Sequence, residues 1–413
     1  MPALSRLVHL ALVFGLAACT SPSLEEPIVM MESEAPDIET MAPPRAKVKG
    51  PARAGVLTAG DIDDAMNLNA FRKVAAQVSR EFELPNPAGG QVVALNLVGP
   101  SRAPAPGVRI TLRRPGATEP FYDGYSGVGG RVAVFPAMYG AKNLTKVEMR
   151  AFSETGQTRV LETVELGKSV EIVLPFEGTW EPDFLDLALV VDTTGSMADE
   201  LEWLTRDLFR IVEQARKIKP DVSIRYGLIV YRDQGDDYVV RNYGFTKDRR
   251  EMRDWLRGEK ASGGGDYPEA AAQALGAAVD LNWRRGKGER LVFHIADAPP
   301  HREDASRYLN AVRVAAGKGV QVFGLGASGV ALEAEYLMRQ AAVTTGGRYL
   351  FLTDDSGVGN GHAEPTVSCY RMTSLSGLVR RVLMSELSGR RFEAVEQDVL
   401  REVGSYRAGR CFN

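Results

Sequence analysis

The sequence predicts an α/β fold, a doubly wound and mainly parallel sheet preceded by a small β-sandwich. Phe184–Val191 (FLDLALVV) is a near-continuous apolar run, the pattern of a strand buried on both faces. From 184 to 390, further short apolar runs alternate with stretches of helical spacing, which implies parallel strands with helices packed on both sides. Residues 90–175 differ: apolar positions recur with period two, between clusters of Gly, Pro and Asn.

Composition narrows the function classes. The chain has 413 residues and a formal net charge of −3, so it carries no global basic field and no nucleic-acid partner is expected. Three cysteines, Cys19, Cys369 and Cys411, are too few for a disulfide-dense scaffold or a four-cysteine zinc site.

Taken in order, residues 1–18 read as a signal peptide. Arg6 is the basic region, Leu7–Leu16 is an apolar run too short to span a bilayer, and small residues Ala17 and Ala18 follow. Leu16-Ala17-Ala18-Cys19 resembles the lipobox of bacterial lipoproteins. That resemblance implies lipidation of Cys19, a membrane anchor and a place in the bacterial cell envelope; an ordinary signal peptide with a chance cysteine is the alternative. Thr20, rather than Asp, resembles the sorting pattern for the outer membrane. Residues 19–55 hold six prolines, an acidic cluster and no apolar period, and read as a disordered tether.

Residues 56–89 form a short helical segment in this reading, with Phe71, Val74, Ala75 and Val78 at partial helical spacing. Asp61, Asp63 and Asp64 precede it, where acids suit a helix N-terminus; cation binding is the alternative. Residues 90–178 are the sandwich. Their stretch PAPGVRITLRR…GYSGVGGRVAVFP resembles the carboxypeptidase-regulatory or transthyretin-like modules of secreted proteins. Such modules act as spacers or binding surfaces.

Residues 184–390 are the doubly wound domain. Strands are expected at 184–191, 224–231, 290–296, 320–326 and 348–352. Helices are expected at 247–257, 268–281, 304–316, 331–343 and 373–387, besides the one after the first strand, where Met197, Leu201, Leu204, Leu208 and Ile211 fall at steps of three and four. Residues 391–413 are a C-terminal tail. Ligands of such sheets bind at the carboxyl ends of strands. There, Asp192, Thr194 and Ser196 alternate, so three oxygen side chains can converge.

The stretch VDTTGSM over 191–197 resembles the metal-ion-dependent adhesion site of von Willebrand factor A domains, with threonine in the middle place. Two further segments resemble that family, in order: SGGGDYPE over 262–269 and LVFHIADAPPH over 291–301. The last is similar to A domains of hemicentins and von Willebrand-type alpha-kinases. The resemblance implies a metal held by Asp192, Thr194, Ser196, Glu269 and, through water, Asp297. Many A domains have a ligand threonine in the second segment; Asp-Tyr-Pro-Glu is instead closer to integrin β subunits, which puts Glu269 at the metal. Asp266 is the competing ligand, or holds an adjacent cation.

An all-oxygen set suits Mg²⁺, with Mn²⁺ or Ca²⁺ also admitted. Three acids would leave the loaded site at −1, tightening metal binding and weakening attraction for the carboxylate of a protein ligand. After lipidation of Cys19, Cys369 and Cys411 form an even pair, which suggests a disulfide in an oxidising envelope; two free thiols are the alternative. His294 reads as core, and His301 as a loop histidine near the site.

The chain carries no Walker Gly-Lys-Ser/Thr, His-Glu-x-x-His or Gly-x-Ser-x-Gly motif, so no enzyme activity is expected. The expected function is cation-dependent binding of a protein partner by a lipid-anchored envelope protein. The alternatives are a periplasmic scaffold or assembly factor with an idle metal site and, further off, a Mg-dependent enzyme.

Overall fold

The computed structural model describes residues 47–48, 56–156, 159–265, 267–327, 329–353 and 365–412. Cys19 and Asp266 lie outside the described residues. Lys47–Val48 (β1) and Thr58–Ile62 (β2) are strands, and Leu68–Glu81 is helix α1. The sandwich follows: Val93–Val98 (β3), Arg109–Arg113 (β4), Tyr122–Tyr125 (β5), Arg131–Val134 (β6), Lys146–Phe152 (β7), Arg159–Glu165 (β8) and Ser169–Val173 (β9). Its sheets run β6-β3-β9 and β5-β4-β7-β8. The period-two residues meet between them: Val93, Leu95 and Leu97 of β3 face Ile110, Leu112, Val147 and Met149 in one buried cluster.

The α/β region begins with Phe184–Asp192 (β10), followed by Ala198–Arg216 (α2), Ser223–Tyr231 (β11), Val240–Thr246 (β12), Arg249–Gly258 (α3) and Ala271–Val279 (α4). It continues with Gly288–Ala296 (β13), Ala305–Gly317 (α5), Gln321–Gly326 (β14), Leu332–Thr345 (α6) and Tyr349–Thr353 (β15). It closes with Tyr370–Ser374 (β16), Leu375–Ser388 (α7) and Arg401–Val403 (β17). Strands β11, β10, β13, β14 and β15 lie side by side and parallel, with β12 antiparallel at one edge.

All nine residues of β10 are buried, because helices cover both faces. Its side chains alternate between two cores. Leu185, Leu187, Leu189 and Val191 pack with α2, α3 and α7; Ala188 and Val190 pack with α4, α5 and α6. A strand apolar on both faces therefore occupies the centre of the sheet.

The sheet is wider than the interval 184–390. Beyond β15 it adds β2, β16, β17 and β1, all antiparallel, to give ten strands among the described residues. The flanks therefore differ from the sequence reading. The helical segment also supplies a fully buried strand, part of the tether pairs with β17, and the tail supplies β17 itself. The strand TAGDI lacks an apolar run because its fit is tertiary. At Gly60 a Cβ would lie 2.7 Å from the Phe351 ring and 2.9 Å from Tyr370, so only glycine lets those rings pack over β2.

The three early aspartates do not cap α1, whose N-cap is Asn67. They are buried ion-pair partners. Asp61 meets Arg348 at 3.2 Å and Arg391 at 3.5 Å; Asp63 meets Arg131 at 3.0 Å and Arg391 at 3.2 Å; Asp64 meets Arg339 at 2.8 Å. Burial alone would push the Asp63 carboxyl up, but the guanidiniums of Arg131, Arg391 and Arg348 outweigh it and hold it below the ordinary range.

Cys369 and Cys411 are joined by a disulfide, with Cα atoms 5.4 Å apart. It ties the end of the tail to the residue before β16. In the chain-entropy account a loop of 42 residues is worth about 4 kcal/mol, so Cys411→Ser should lower unfolding stability by up to that amount in urea titration. Arg391→Met leaves two buried carboxylates short of a partner. It should cost about 3 kcal/mol, the low end for a broken buried pair, because Asp61 keeps Arg348 and Asp63 keeps Arg131.

Candidate metal centre

The carboxyl end of β10 gathers three chain segments. Asp192 ends the strand and is fully buried. Thr194, also buried, starts the turn into α2; Ser196 is exposed in the same turn. Asp297 follows β13, the parallel neighbour of β10, so the two aspartates sit at adjacent strand ends. Glu269 lies just before α4 and is buried.

Backbone hydrogen bonds stitch these segments together. Ser262 N–H donates to the Thr193 carbonyl at 3.0 Å, and Gly195 N–H to that of Gly263 at 3.2 Å. Glu269 N–H donates to the Pro299 carbonyl at 2.9 Å, joining the second segment to the third. Ser196 lies near enough to Asp297 to oppose the rise of its carboxyl pKa. Gly264 sits between the first two segments at φ +73°. A Cβ there would lie 3.0 Å from Thr194 Cβ and 3.1 Å from Glu269 Oε1, so the turn and the close approach both require glycine.

The oxygens are unevenly satisfied. Asp192 Oδ1 accepts from the Thr194 N–H at 2.9 Å and from its hydroxyl at 2.7 Å. Asp192 Oδ2 and Glu269 Oε2 are buried and accept no hydrogen bond from the described residues. Burial pushes the Asp192 carboxyl up to about 7, helped by the charges of Asp297 and Glu200. Burial also pushes Glu269 up to about 9, with Asp192, Asp233, Asp236 and Asp297 adding to it. Asp297 is raised by burial as well.

Two orphaned carboxylate oxygens among like charges are an environment a divalent cation would relieve. Asp192, Glu269 and Asp297, with the hydroxyls of Thr194 and Ser196, form a hard-oxygen set of the kind Mg²⁺ takes. Among the described residues, no group of three His, Cys, Asp or Glu side chains could by itself hold a metal ion. An arrangement completed by hydroxyls and water does not need one.

Tyr267 and Asp236 enter only through the fold, whereas His301 is the loop histidine that the sequence already places near the site. Asp233 accepts from or pairs with His301 Nε2 at 2.7 Å, so this histidine is partly buried beside the site. Tyr267 exposes its ring while its hydroxyl donates to the carbonyls of Asp297 at 3.1 Å and Gly329 at 3.2 Å. Asp236 has no spacing signal, since it comes from the loop after β11, whereas Asp233 stands in the stretch Tyr231-Arg232-Asp233 that resembles von Willebrand factor A domains; both act on Glu269 across the sheet end. His294 lies in the core, between the hydroxyls of Tyr231 and Tyr308, each 3.0 Å from a ring nitrogen.

The von Willebrand factor A domain profile matches residues 186–354. That interval holds the parallel strands and the whole candidate centre. Residues 186–354 are a von Willebrand factor A domain. The A domain also has curated relatives. The chain is 35% identical over 125 residues to an ariadne-like RING finger protein of Acanthamoeba polyphaga mimivirus, covering 30% of this chain and 12% of that one. It is 30% identical over 138 residues to the alpha-protein kinase vwkA of Dictyostelium discoideum, covering 32% and 21%. It is 33% identical over 95 residues to hemicentin-2 of Mus musculus, covering 23% and 2%. The chain thus spans about a fifth or less of the length of these relatives.

The buried His294 gives a pH test of this packing. Burial lowers its pKa from 6.5 to about 4, so the folded state keeps it neutral while the unfolded chain takes up a proton below 6.5. Stability present above pH 6.5 is therefore lost as pH falls toward 4, and this loss stops below 4. Measured against His294→Phe by chemical denaturation, wild type should lose about 3 kcal/mol across that window.

Proposed function

We propose that this chain is a lipid-anchored protein of the bacterial cell envelope that binds a protein partner through a divalent cation. The cation would be held by Asp192, Thr194, Ser196, Glu269 and Asp297, and Cys19 would carry the lipid, in the outer membrane. The observation that carries the cation is the pair of buried, unpartnered oxygens, Asp192 Oδ2 and Glu269 Oε2, at the end of the central strand. Von Willebrand factor A domains generally bind protein partners, and this one presents its site with an exposed tyrosine at the rim. When bound, the metal would supply a Lewis-acidic position for a partner carboxylate. The protein's own part is to hold the donors: Thr194 fixes Asp192 Oδ1, and Gly264 leaves the approach open. This is a reading of binding and not of catalysis.

A second reading is a periplasmic scaffold whose metal site stays idle. The lack, among the described residues, of three His, Cys, Asp or Glu side chains that could together hold a metal ion favours it. Isothermal titration with Mg²⁺ and Mn²⁺ separates the two. Saturable heats in wild type, lost in Asp192→Ala, support the cation; equal traces in both variants support the idle scaffold. Crosslinked pull-down from cells, with and without EDTA and with Asp192→Ala, then tests the partner. The same captured set in all three conditions would remove metal-dependent recognition.

A further inference from the structure

A cavity of about 680 Å³ lies between the sandwich and the A domain. It is remote from the metal centre. Its A-domain wall is made by the loops that enter β13, β14 and β15, whereas Asp192 stands at the opposite, carboxyl end of these parallel strands. The other wall comes from β5, the turn into β6 and Trp180 in the connection to β10. The volume falls within the roughly 300–1,000 Å³ of small-molecule sites, which favour such junctions.

Charge sets the class of ligand. Six cationic side chains line the cavity against four acidic ones, an excess of two. Three of the six have an acid of their own: Arg131 meets Asp63 at 3.0 Å, and Arg348 meets Glu386 and Lys318 meets Asp280, each at 3.7 Å. The other three, Arg284, Arg285 and Arg290, stand on residues 282–290, which lead into β13. Arg284 shares the carboxylate of Asp186 with Arg225. Arg290 donates to the carbonyls of Arg284, Gly286 and Gly288, which curls the stretch without neutralising the charge. Arg285 is exposed and, among the described residues, makes neither an ion pair nor a hydrogen bond. Glu289 is the one acid of the stretch. Burial, and after it the charge of Glu386, pushes its carboxyl well above the ordinary range, so it offsets little of the excess.

That excess matches one phosphate group. A phosphate monoester carries about −1.5 to −2 at neutral pH, and guanidiniums pair with its oxygens through parallel N–H donors. Helices α5 and α6 end on the same wall, at Gly317 and Thr345, with the negative ends of their dipoles. The place of an anion is therefore the arginine stretch and not the helix ends. Rings lie beside it. Trp283 belongs to the stretch, and Trp180 and Tyr125 line the other wall. Tyr125 is 47% exposed and lies close enough to Arg290 to act on its charge. Flat faces next to cations suit an organic group that carries a ring.

We propose that this cleft binds a small phosphate monoester with a ring in its organic part. The phosphate would pair with Arg285, between Arg284 and Arg290 in the chain, and the ring would stack on Tyr125. The site is independent of the metal reading. The test is isothermal titration of the purified full chain with adenosine monophosphate and glucose 6-phosphate. Adenosine and glucose are the uncharged counterparts, and inorganic phosphate is the ringless one.

The expected result is saturable binding of at least one ester, weakened about tenfold or more in Arg285→Glu and largely kept in Arg285→Lys. Added sodium chloride should weaken it, because the pairing arginine is exposed. It should persist in EDTA and in Asp192→Ala. Circular dichroism melts of Arg285→Glu should match wild type, since this side chain holds nothing in the fold. The proposal is overturned if neither ester binds, or if the uncharged counterparts bind as tightly. Unaltered binding in Arg285→Glu, or inorganic phosphate binding as tightly as both esters, also overturns it.

Discussion

Buried charge pairing joins the pieces of this molecule. Arg391, in the tail, meets Asp61 at the end of β2 and Asp63 just after it. Asp63 also receives Arg131 from the sandwich, and Asp61 receives Arg348 from the entry to β15. Segments far apart in sequence thus share one set of desolvated charges. Such pairs add little net stability over apolar packing, yet any partner left alone is costly. The network therefore acts as a register, favouring one docking of the flanks onto the sheet. The disulfide from Cys369 to Cys411 closes the same side covalently.

At the other end of the sheet the constraint is inverted. Asp192, Glu269 and Asp297 have like charges and, among the described residues, no guanidinium paired with them; burial raises all three, and repulsion adds to it at Asp192 and Glu269. A fold that invests arginines at Asp61, Asp63 and Asp64 leaves these carboxylates without one. The surrounding backbone is rigidly tied, through Thr193, Gly263 and Pro299, so the acids cannot separate. Held proximity of unpaired acids is a cost to the folded state, and a bound cation is the physical means of removing it.

The A domain was legible because its signals are local. A run such as FLDLALVV can satisfy its burial only at the centre of a covered sheet, and the helices after it repeat with the period of the cores they face. The sandwich was legible through alternation, which its two sheets use to fill one interior. The flanks were not. TAGDI contains one isoleucine and an aspartate, and it becomes a buried strand only because Phe351, Tyr370 and two arginines, Arg348 and Arg391, already surround it. Likewise β17 is too short to announce itself and exists through its neighbours β16 and β1.

The sequence alone determined the chemistry at the strand end: which oxygens stand at 192, 194, 196, 269 and 297, and that they follow buried strands and precede helices. Residue type and periodicity carry that information, since both act within a few residues. Tertiary structure decided which of those oxygens are left without a partner among the described residues, and it brought Asp236 and Tyr267 to their side. It also decided the width of the sheet and opened the cleft beneath the sandwich. These depend on contacts between residues up to several hundred positions apart, and such contacts leave no period in the chain.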